Sequence, residues 1–156
     1  MRQLLLILGL IALPALGWAT DTGPKAAVAA WQADPGAVLA AEGVALNDFH
    51  WLARPVVVFA DSPADPRFIE QMELLTRRMD ELVVRDVVVI TDTDPAAKSA
   101  LRQKLRPRGF MLALIGKDGG VALRKPLPWD VRELSRVIDK MPLRQQEIRE
   151  GSTLRQ

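Results

Sequence analysis

The residues with the clearest chemical potential lie in one short loop, Asp61 to Pro66, which follows an apolar run and precedes a predicted helix. Ligands of open α/β sheets bind where strands end, and a helix N-terminus presents free N–H groups. Asp61, Ser62 and Asp65 are therefore candidate contacts for a ligand or partner, and the two acids favour a polar or basic one. The alternative is structural, with Asp65 capping the helix and Ser62 shaping the turn.

The chain contains no cysteine and a single histidine, His50. Disulfides, thiolate nucleophiles, cysteine-bound zinc and iron–sulfur clusters are therefore excluded. A hydrolytic triad of His50, Ser62 and an aspartate would lack the Gly-x-Ser-x-Gly turn that exposes a nucleophilic serine. We expect His50 to be a surface or half-buried residue. The sequence predicts no catalytic residue, no metal site and no cofactor.

A second group of polar residues lies in the last third of the chain: Arg124, Asp139, Arg144 and Glu147. Ion pairs that fix the last helix are the simplest expectation. Arg124 and Arg144 are nevertheless candidates for a binding surface at that edge. The segment Lys117-Asp118-Gly119-Gly120 lacks the spacing and the following helix of a phosphate-binding loop, so it predicts a hairpin turn.

The composition limits the possible partners. The chain has 156 residues, 49% hydrophobic and 26% charged, which suits one globular domain. Lys and Arg number 21 against 19 Asp and Glu, a formal charge of +2 that predicts no nucleic-acid binding. Basic residues cluster near one predicted helix C-terminus, where the helix dipole favours cations, and we expect them to be solvated. They are Arg102, Lys104, Arg106 and Arg108.

Residues 1–19 have the layout of a secretory signal peptide. Arg2 precedes an apolar run that ends at Leu16, and Gly17-Trp18-Ala19 offers a small-x-small cleavage pattern. The run of about 13 residues is too short to cross a hydrocarbon core of about 30 Å, although an uncleaved anchor is the alternative. We expect a periplasmic or secreted protein that starts near Thr20 and has no membrane attachment after cleavage.

Three further segments are expected in the mature chain. Residues 20–45 are rich in Ala, Gly and Pro and predict a lead-in, with a helix around residues 37–42. Residues 46–148 predict the folded domain, and residues 149–156 predict a frayed tail.

Apolar periodicity predicts the elements of this domain. The predicted strands cover residues 56–60, 86–90, 110–115 and 121–125. The predicted helices cover residues 66–84, 96–105 and 129–141. The order β-α-β-α-β-β-α is that of a thioredoxin-like α/β fold, a mixed sheet with helices on both faces. A doubly wound α/β fold without the hairpin is the alternative.

Residues 46–148 also resemble the P-DUDES family, which comprises thioredoxin-like domains of unknown function in exported bacterial and animal extracellular proteins. The likeness rests on Trp51 to Ala60, Arg85 to Val89, and a set in the last third of the chain. That set comprises Leu114 to Gly120, Leu123, Arg124, Ile138 to Arg144 and Glu147. Members often have Lys where this chain has Ala122. The resemblance implies the fold and leaves the activity open.

The thioredoxin comparison also limits the chemistry. Thioredoxins carry their cysteines after the strand that matches residues 56–60, and a cis-proline where this chain has Met111. The sequence therefore predicts an exported, non-redox thioredoxin-like module that binds an unknown protein or small ligand, with no prediction of oligomeric state. The alternative is a peroxiredoxin-type oxidoreductase, which the resemblance suggests and the absence of a thiolate disfavours.

Overall fold

The computed structural model describes residues 24–153, which form a five-stranded mixed sheet covered by helices on both faces. The strands are β1 (Val38–Ala40), β2 (Arg54–Phe59), β3 (Val87–Asp92), β4 (Met111–Ile115) and β5 (Val121–Lys125). The helices are α1 (Pro24–Ala33), α2 (Pro66–Arg77), α3 (Met79–Val83), α4 (Ala100–Leu105), α5 (Val131–Asp139) and α6 (Pro142–Thr153). The predicted mixed α/β, thioredoxin-like fold is confirmed.

The strand order is β1-β3-β2-β4-β5. Strands β1 and β2 run parallel to β3, while β4 runs antiparallel to both β2 and β5. The carboxyl ends of β1, β2 and β3 therefore meet at one edge of the sheet, here called the carboxyl edge. The amino ends of these strands and the β4–β5 turn lie at the opposite edge, here called the amino edge.

The central strand β2 is buried on both faces, which explains its continuous apolar sequence. Val57 packs into a core with residues of α1 and α4, among them Trp31 and Leu101. Val56 and Val58 point to the other face and pack into a second core with residues of α2, α3 and α5. The sheet thus separates two apolar layers.

The predicted helix over residues 66–84 is two helices. Asp65 caps α2 by accepting a hydrogen bond from the Arg67 N–H, and Pro66 occupies the first turn, as predicted. The helix breaks at Arg78, whose φ of −131° and ψ of 35° are not helical. Leu75 before the break and Leu82 after it still pack in the same core, so the apolar stripe predicted the buried face correctly.

The segment predicted as a lead-in contains structured elements. The prediction of a helix around residues 37–42 was wrong, because Val38–Ala40 form the edge strand β1, which pairs with β3. Backbone pairing across the sheet outweighs the helix propensity of this Ala- and Leu-containing segment, because tertiary context routinely overrides local propensity. Trp31 of α1 also packs in the core, and its indole N–H donates to the Val87 carbonyl at 3.3 Å.

Two other boundaries differ from the prediction. The helix predicted over residues 129–141 is not the last one, because Pro142 begins a further helix, α6. Proline is well suited to the first turn of a helix. Helix α6 reaches Thr153, into the segment predicted as a frayed tail. The helix predicted over residues 96–105 divides into a 3₁₀ turn, Pro95–Ala97, and α4, because Lys98 adopts a left-handed conformation. The predicted hairpin turn is confirmed, with Gly119 at a φ of 80°.

The predicted signal peptide lies outside the described residues. Within residues 24–153, no helix has the length and apolar character needed to span a membrane.

Candidate functional site

The loop of residues 61–66 lies at the carboxyl edge, directly after β2. Asp61, Ser62 and Asp65 line one shallow depression of about 430 Å³, so the structure brings the three candidate residues together. The Asp61 side chain is 65% exposed. The Ser62 hydroxyl accepts a hydrogen bond from the Ala64 N–H at 3.1 Å, which shapes the turn.

The Asp65 side chain caps the N-terminus of α2. Its carboxylate accepts from the backbone N–H of Arg67 at 2.9 Å and from the guanidinium of the same residue at 2.9 Å. The side-chain hydrogen bond from Arg67 lowers the pKa of Asp65, against the opposing effect of desolvation. Asp65 therefore stays ionised and engaged, which leaves Asp61 as the exposed acid of the loop.

Arg102 anchors the start of this loop through hydrogen bonds to residues at the ends of β2 and β3. Its side chain is only 10% exposed, and its guanidinium donates to the Ala60 carbonyl and to the Asp92 carboxylate, the latter at 2.7 Å. The guanidinium also lies 5.5 Å from the centre of the Phe59 ring and 3.8 Å from Asp61. The prediction of a solvated basic cluster was therefore wrong for Arg102, because a buried acid outcompetes water for it. Lys104, Arg106 and Arg108 are exposed, as predicted.

Asp92 and Ser99 complete the anchor. The buried Asp92 carboxylate accepts from the Ser99 hydroxyl at 2.5 Å, and this hydroxyl caps α4 by accepting from the Arg102 N–H at 3.1 Å. The network therefore ties β2, β3 and α4 together. Sequence reasoning missed it, although a serine just before a helix and an acid at the end of a buried strand were available signals.

A second concavity opens beyond Asp92. It has a volume of about 570 Å³. It is lined by residues 40–45 at the end of β1 and beyond it, by residues 91–94 at the end of β3 and beyond it, and by three small residues near α4. Because it lies at the carboxyl ends of two parallel strands, it occupies a common ligand-binding position of α/β sheets. The carboxyl edge therefore has two concave surfaces, one at the loop of residues 61–66 and one at the ends of β1 and β3.

The remaining candidates lie apart from the loop. Arg124 donates to the Leu105 carbonyl at 2.7 Å and so binds the C-terminus of α4. Arg144 pairs with Glu147 at 3.3 Å and with Asp139 at 3.6 Å. Arg124 and Arg144 share no contact within the described residues, so they do not form one site. The expectation of ion pairs is confirmed for Arg144 and its two acids, whereas Arg124 contacts a backbone carbonyl.

These ion pairs belong to a larger cluster at the amino edge that sequence reasoning missed. Arg54 is buried and donates to the Arg85 carbonyl at 2.8 Å and to Glu147 at 3.0 Å. Lys117 lies 2.9 Å from Glu147 and 2.7 Å from Asp86. The only sequence signal was a charged residue beside an apolar run, which usually indicates a strand end at the surface.

Two acids of this cluster, Glu147 and Asp139, have lowered pKa values. Partial burial alone would raise the pKa of Glu147, but hydrogen bonds from Lys117 and Arg54 lower it from 4.5 to about 2. The paired hydrogen bonds from Arg85, at 2.8 and 2.9 Å, likewise lower the pKa of Asp139. Both acids are therefore ionised at neutral pH and bind their cations with full charge.

His50 lies on the surface near this edge, in agreement with the prediction. Its ring nitrogen Nε2 is 3.1 Å from the Asp118 carbonyl oxygen, and its ring stacks on Trp51 with the centroids 4.7 Å apart. It has no contact with Ser62 within the described residues, so the structure gives no support for a triad.

A mixed sheet of this topology, with a loop after β2 that opens α2, is a thioredoxin-like fold, and this chain has no cysteine. The chain belongs to the family described as Domain of unknown function (DUF4174), whose pattern matches residues 45–147. No curated protein matches the chain.

A solved peroxiredoxin structure is similar in fold. It is Prx1a of Plasmodium yoelii, modified at the N-terminus and described as forming an artifactual octamer. The TM-score is 0.52 at 16% sequence identity, with 69% of this chain and 86% of that chain covered. At this identity the similarity establishes the fold alone.

Proposed function

We propose that this chain is an exported, non-redox thioredoxin-like module that binds a protein or a small ligand through the loop of residues 61–66. The observation that carries the proposal is the anchoring of the loop by Arg102. The Arg102 side chain donates hydrogen bonds to the Ala60 carbonyl and to Asp92, while the Asp61 side chain stays largely exposed to solvent. A loop that is already ordered loses little conformational entropy on binding. The exposed carboxylate favours a basic or polar partner.

The proposal of a non-redox module rests on the residue types. Thioredoxins and peroxiredoxins react through a thiolate, and the chain has no cysteine. Ser62 stands near the position where a peroxiredoxin has its nucleophilic cysteine, but a hydroxyl has no sulfur to oxidise. Its oxygen is also engaged by the Ala64 N–H.

Peroxide consumption separates this proposal from the oxidoreductase alternative. The purified protein is incubated with hydrogen peroxide and reduced thioredoxin, and peroxide loss is compared with buffer. We expect no loss beyond the buffer control. Turnover above that control would overturn the non-redox assignment.

Site-specific crosslinking tests the binding surface. Photoreactive p-benzoylphenylalanine replaces Ser62 in one variant and Val84 in another, since Val84 is 62% exposed and lies at the amino edge. After irradiation of producing cells, we expect adducts at position 62, which weaken when Asp61→Asn is added, and none at position 84. Equal adducts at both positions, or none at position 62, would contradict binding through the loop.

Export is tested on the same cells. N-terminal sequencing of the protein from the periplasmic fraction should begin near Thr20. Recovery of the chain with Met1 intact in the membrane fraction would instead indicate an uncleaved anchor.

A further inference from the structure

A cavity of about 460 Å³ opens at the amino edge, between the β4–β5 turn and the start of α6. It lies at the other end of the sheet from the loop of residues 61–66, so its role is independent of the proposed function. Arg54 and Lys117 line it, and both are among the least exposed cations of the described chain. One buried cation and one mostly buried cation beside an open cavity favour the binding of an anion there.

Each of these cations has a hydrogen-bond donor left over. The Arg54 side chain is 1% exposed, and its Nε–H is buried without a partner within the described residues. Lys117 has three N–H groups and two acceptors, Asp86 and Glu147. A buried donor without an acceptor costs about 1–3 kcal/mol, so a ligand oxygen that reaches it gains affinity.

The α6 helix adds a favourable field. Its first residues, Pro142 and Leu143, line the cavity, and its first turn contains no acid that would neutralise the helix dipole. A helix of this length carries a partial positive charge at its N-terminus. The dipole therefore acts in the same direction as Arg54 and Lys117.

The apolar part of the lining limits the kind of anion. Val121, Ala122, Met141 and Leu143 form an apolar wall beside the cations. Glu147 and Asp86 already neutralise part of the positive charge, and the lining adds one further acid, Asp118, and one further cation, Arg149. This balance of charge disfavours a dianion such as phosphate. Two spare donors suit the two oxygens of a carboxylate.

We propose that this cavity binds a carboxylate attached to a short aliphatic group. The carboxylate oxygens accept from Arg54 and Lys117, and the aliphatic group packs on the wall formed by Val121 and Leu143. A free aliphatic acid and the C-terminal carboxylate of a peptide ending in an apolar residue share this chemistry.

Nuclear magnetic resonance of the ¹⁵N-labelled full chain tests the proposal with defined probes. Hexanoate represents the free acid, acetyl-Ala-Ala-Leu represents the peptide terminus, and hexanamide and inorganic phosphate are controls. We expect saturable shifts of the Arg54 Nε–H and of the Lys117 and Leu143 amides with at least one carboxylate probe. The tighter of the two probes identifies the source of the carboxylate.

Two variants test the two halves of the site. Lys117→Gln replaces the charged ammonium donor by a shorter, neutral amide, and Ala122→Phe fills the apolar part without changing charge. Each should weaken carboxylate binding about tenfold or more, as expected for the loss of one charged hydrogen bond or of the aliphatic pocket. Lys104→Gln, an equal charge change on an exposed residue, should leave binding unchanged.

Several results would overturn the proposal. These are equal binding of hexanamide, equal or tighter binding of phosphate, and the absence of a saturable shift with both carboxylates. Unaltered binding by Ala122→Phe would also do so. If Lys117→Gln loses its native spectrum, Ala122→Phe still decides the outcome, since Ala122 is exposed and carries no hydrogen-bonding side chain.

Discussion

Arg54 and Glu147 stand 93 positions apart in the chain, yet the guanidinium of one donates to the carboxylate of the other at 3.0 Å. The contact joins the first residue of β2 to the middle of α6. Because Arg54 is buried, its charge depends on this acid and on the more distant Asp86, at 4.0 Å, for compensation. The C-terminal helix is thereby tied to the central strand by a polar contact.

Glu147→Gln should destabilise the protein by about 1–3 kcal/mol, because it leaves the buried Arg54 without its nearest acid. Urea denaturation followed by circular dichroism measures the change. Glu150→Gln on the same helix is the matched control, since Glu150 is exposed, and it should change stability by less than about 0.5 kcal/mol. Equal effects of the two variants would contradict the role given to Arg54.

Stability should fall on acidification as Glu147 becomes protonated. The pKa of Glu147 is lowered from 4.5 to about 2 by folding, so the folded state favours the ionised form. Its contribution is complete above pH 4.5 and is lost as the pH falls towards about 2. Unfolding free energies measured across this window should decrease less steeply for Glu147→Gln than for the wild type. Parallel pH profiles would refute the assignment.

Leu75→Ala should cost about 2–5 kcal/mol, because Leu75 is fully buried in the core between α2 and the sheet and its loss leaves a cavity. Ile69→Ala, on the same helix with Ile69 46% exposed, should cost much less. Chemical denaturation of both variants measures the difference. A shift below about 0.5 kcal/mol for Leu75→Ala would mean that this face of α2 does not form the core.

Asp65→Ala should cost about 0.5–2 kcal/mol as the loss of a helix cap. The double variant Asp61→Ala with Ser62→Ala should stay within about 0.5 kcal/mol of the wild type, because both side chains are exposed. Thermal and urea denaturation test both expectations. Unfolding of the double variant would make these two residues structural and remove the loop as a candidate site.

Arg102→Ala should cost about 3–5 kcal/mol, because it leaves the buried Asp92 carboxylate without its cation. Arg102→Lys should recover only part of this loss, since one ammonium group cannot reproduce the planar fork that spans Asp92 and the Ala60 carbonyl. Lys104→Ala serves as the exposed control. Wild-type stability of Arg102→Ala would show that the anchor is dispensable.

Features that depend on neighbouring residues could be predicted from the sequence alone. Buried strands, helix caps and the hairpin turn belong to this class, because each signal lies within a few positions of the structure it specifies. Asp65 followed by Pro66 marks a helix start by the hydrogen bond and backbone angle that these residues provide. The absence of cysteine from the sequence likewise excludes thiol chemistry.

Features that depend on partners far apart in the chain were decided only by the tertiary structure. Val38–Ala40 became a strand because β3 supplies an open edge for pairing, and local preference carries no record of that edge. Arg102 belongs to a basic run in the sequence. It is mostly shielded from solvent because the fold brings Asp92 and the Ala60 carbonyl to it. Arg54 and Glu147 carry opposite charges in any conformation. Only the packing of α6 against the amino edge brings them together, because electrostatic pairing depends on distance in space rather than on position in the chain.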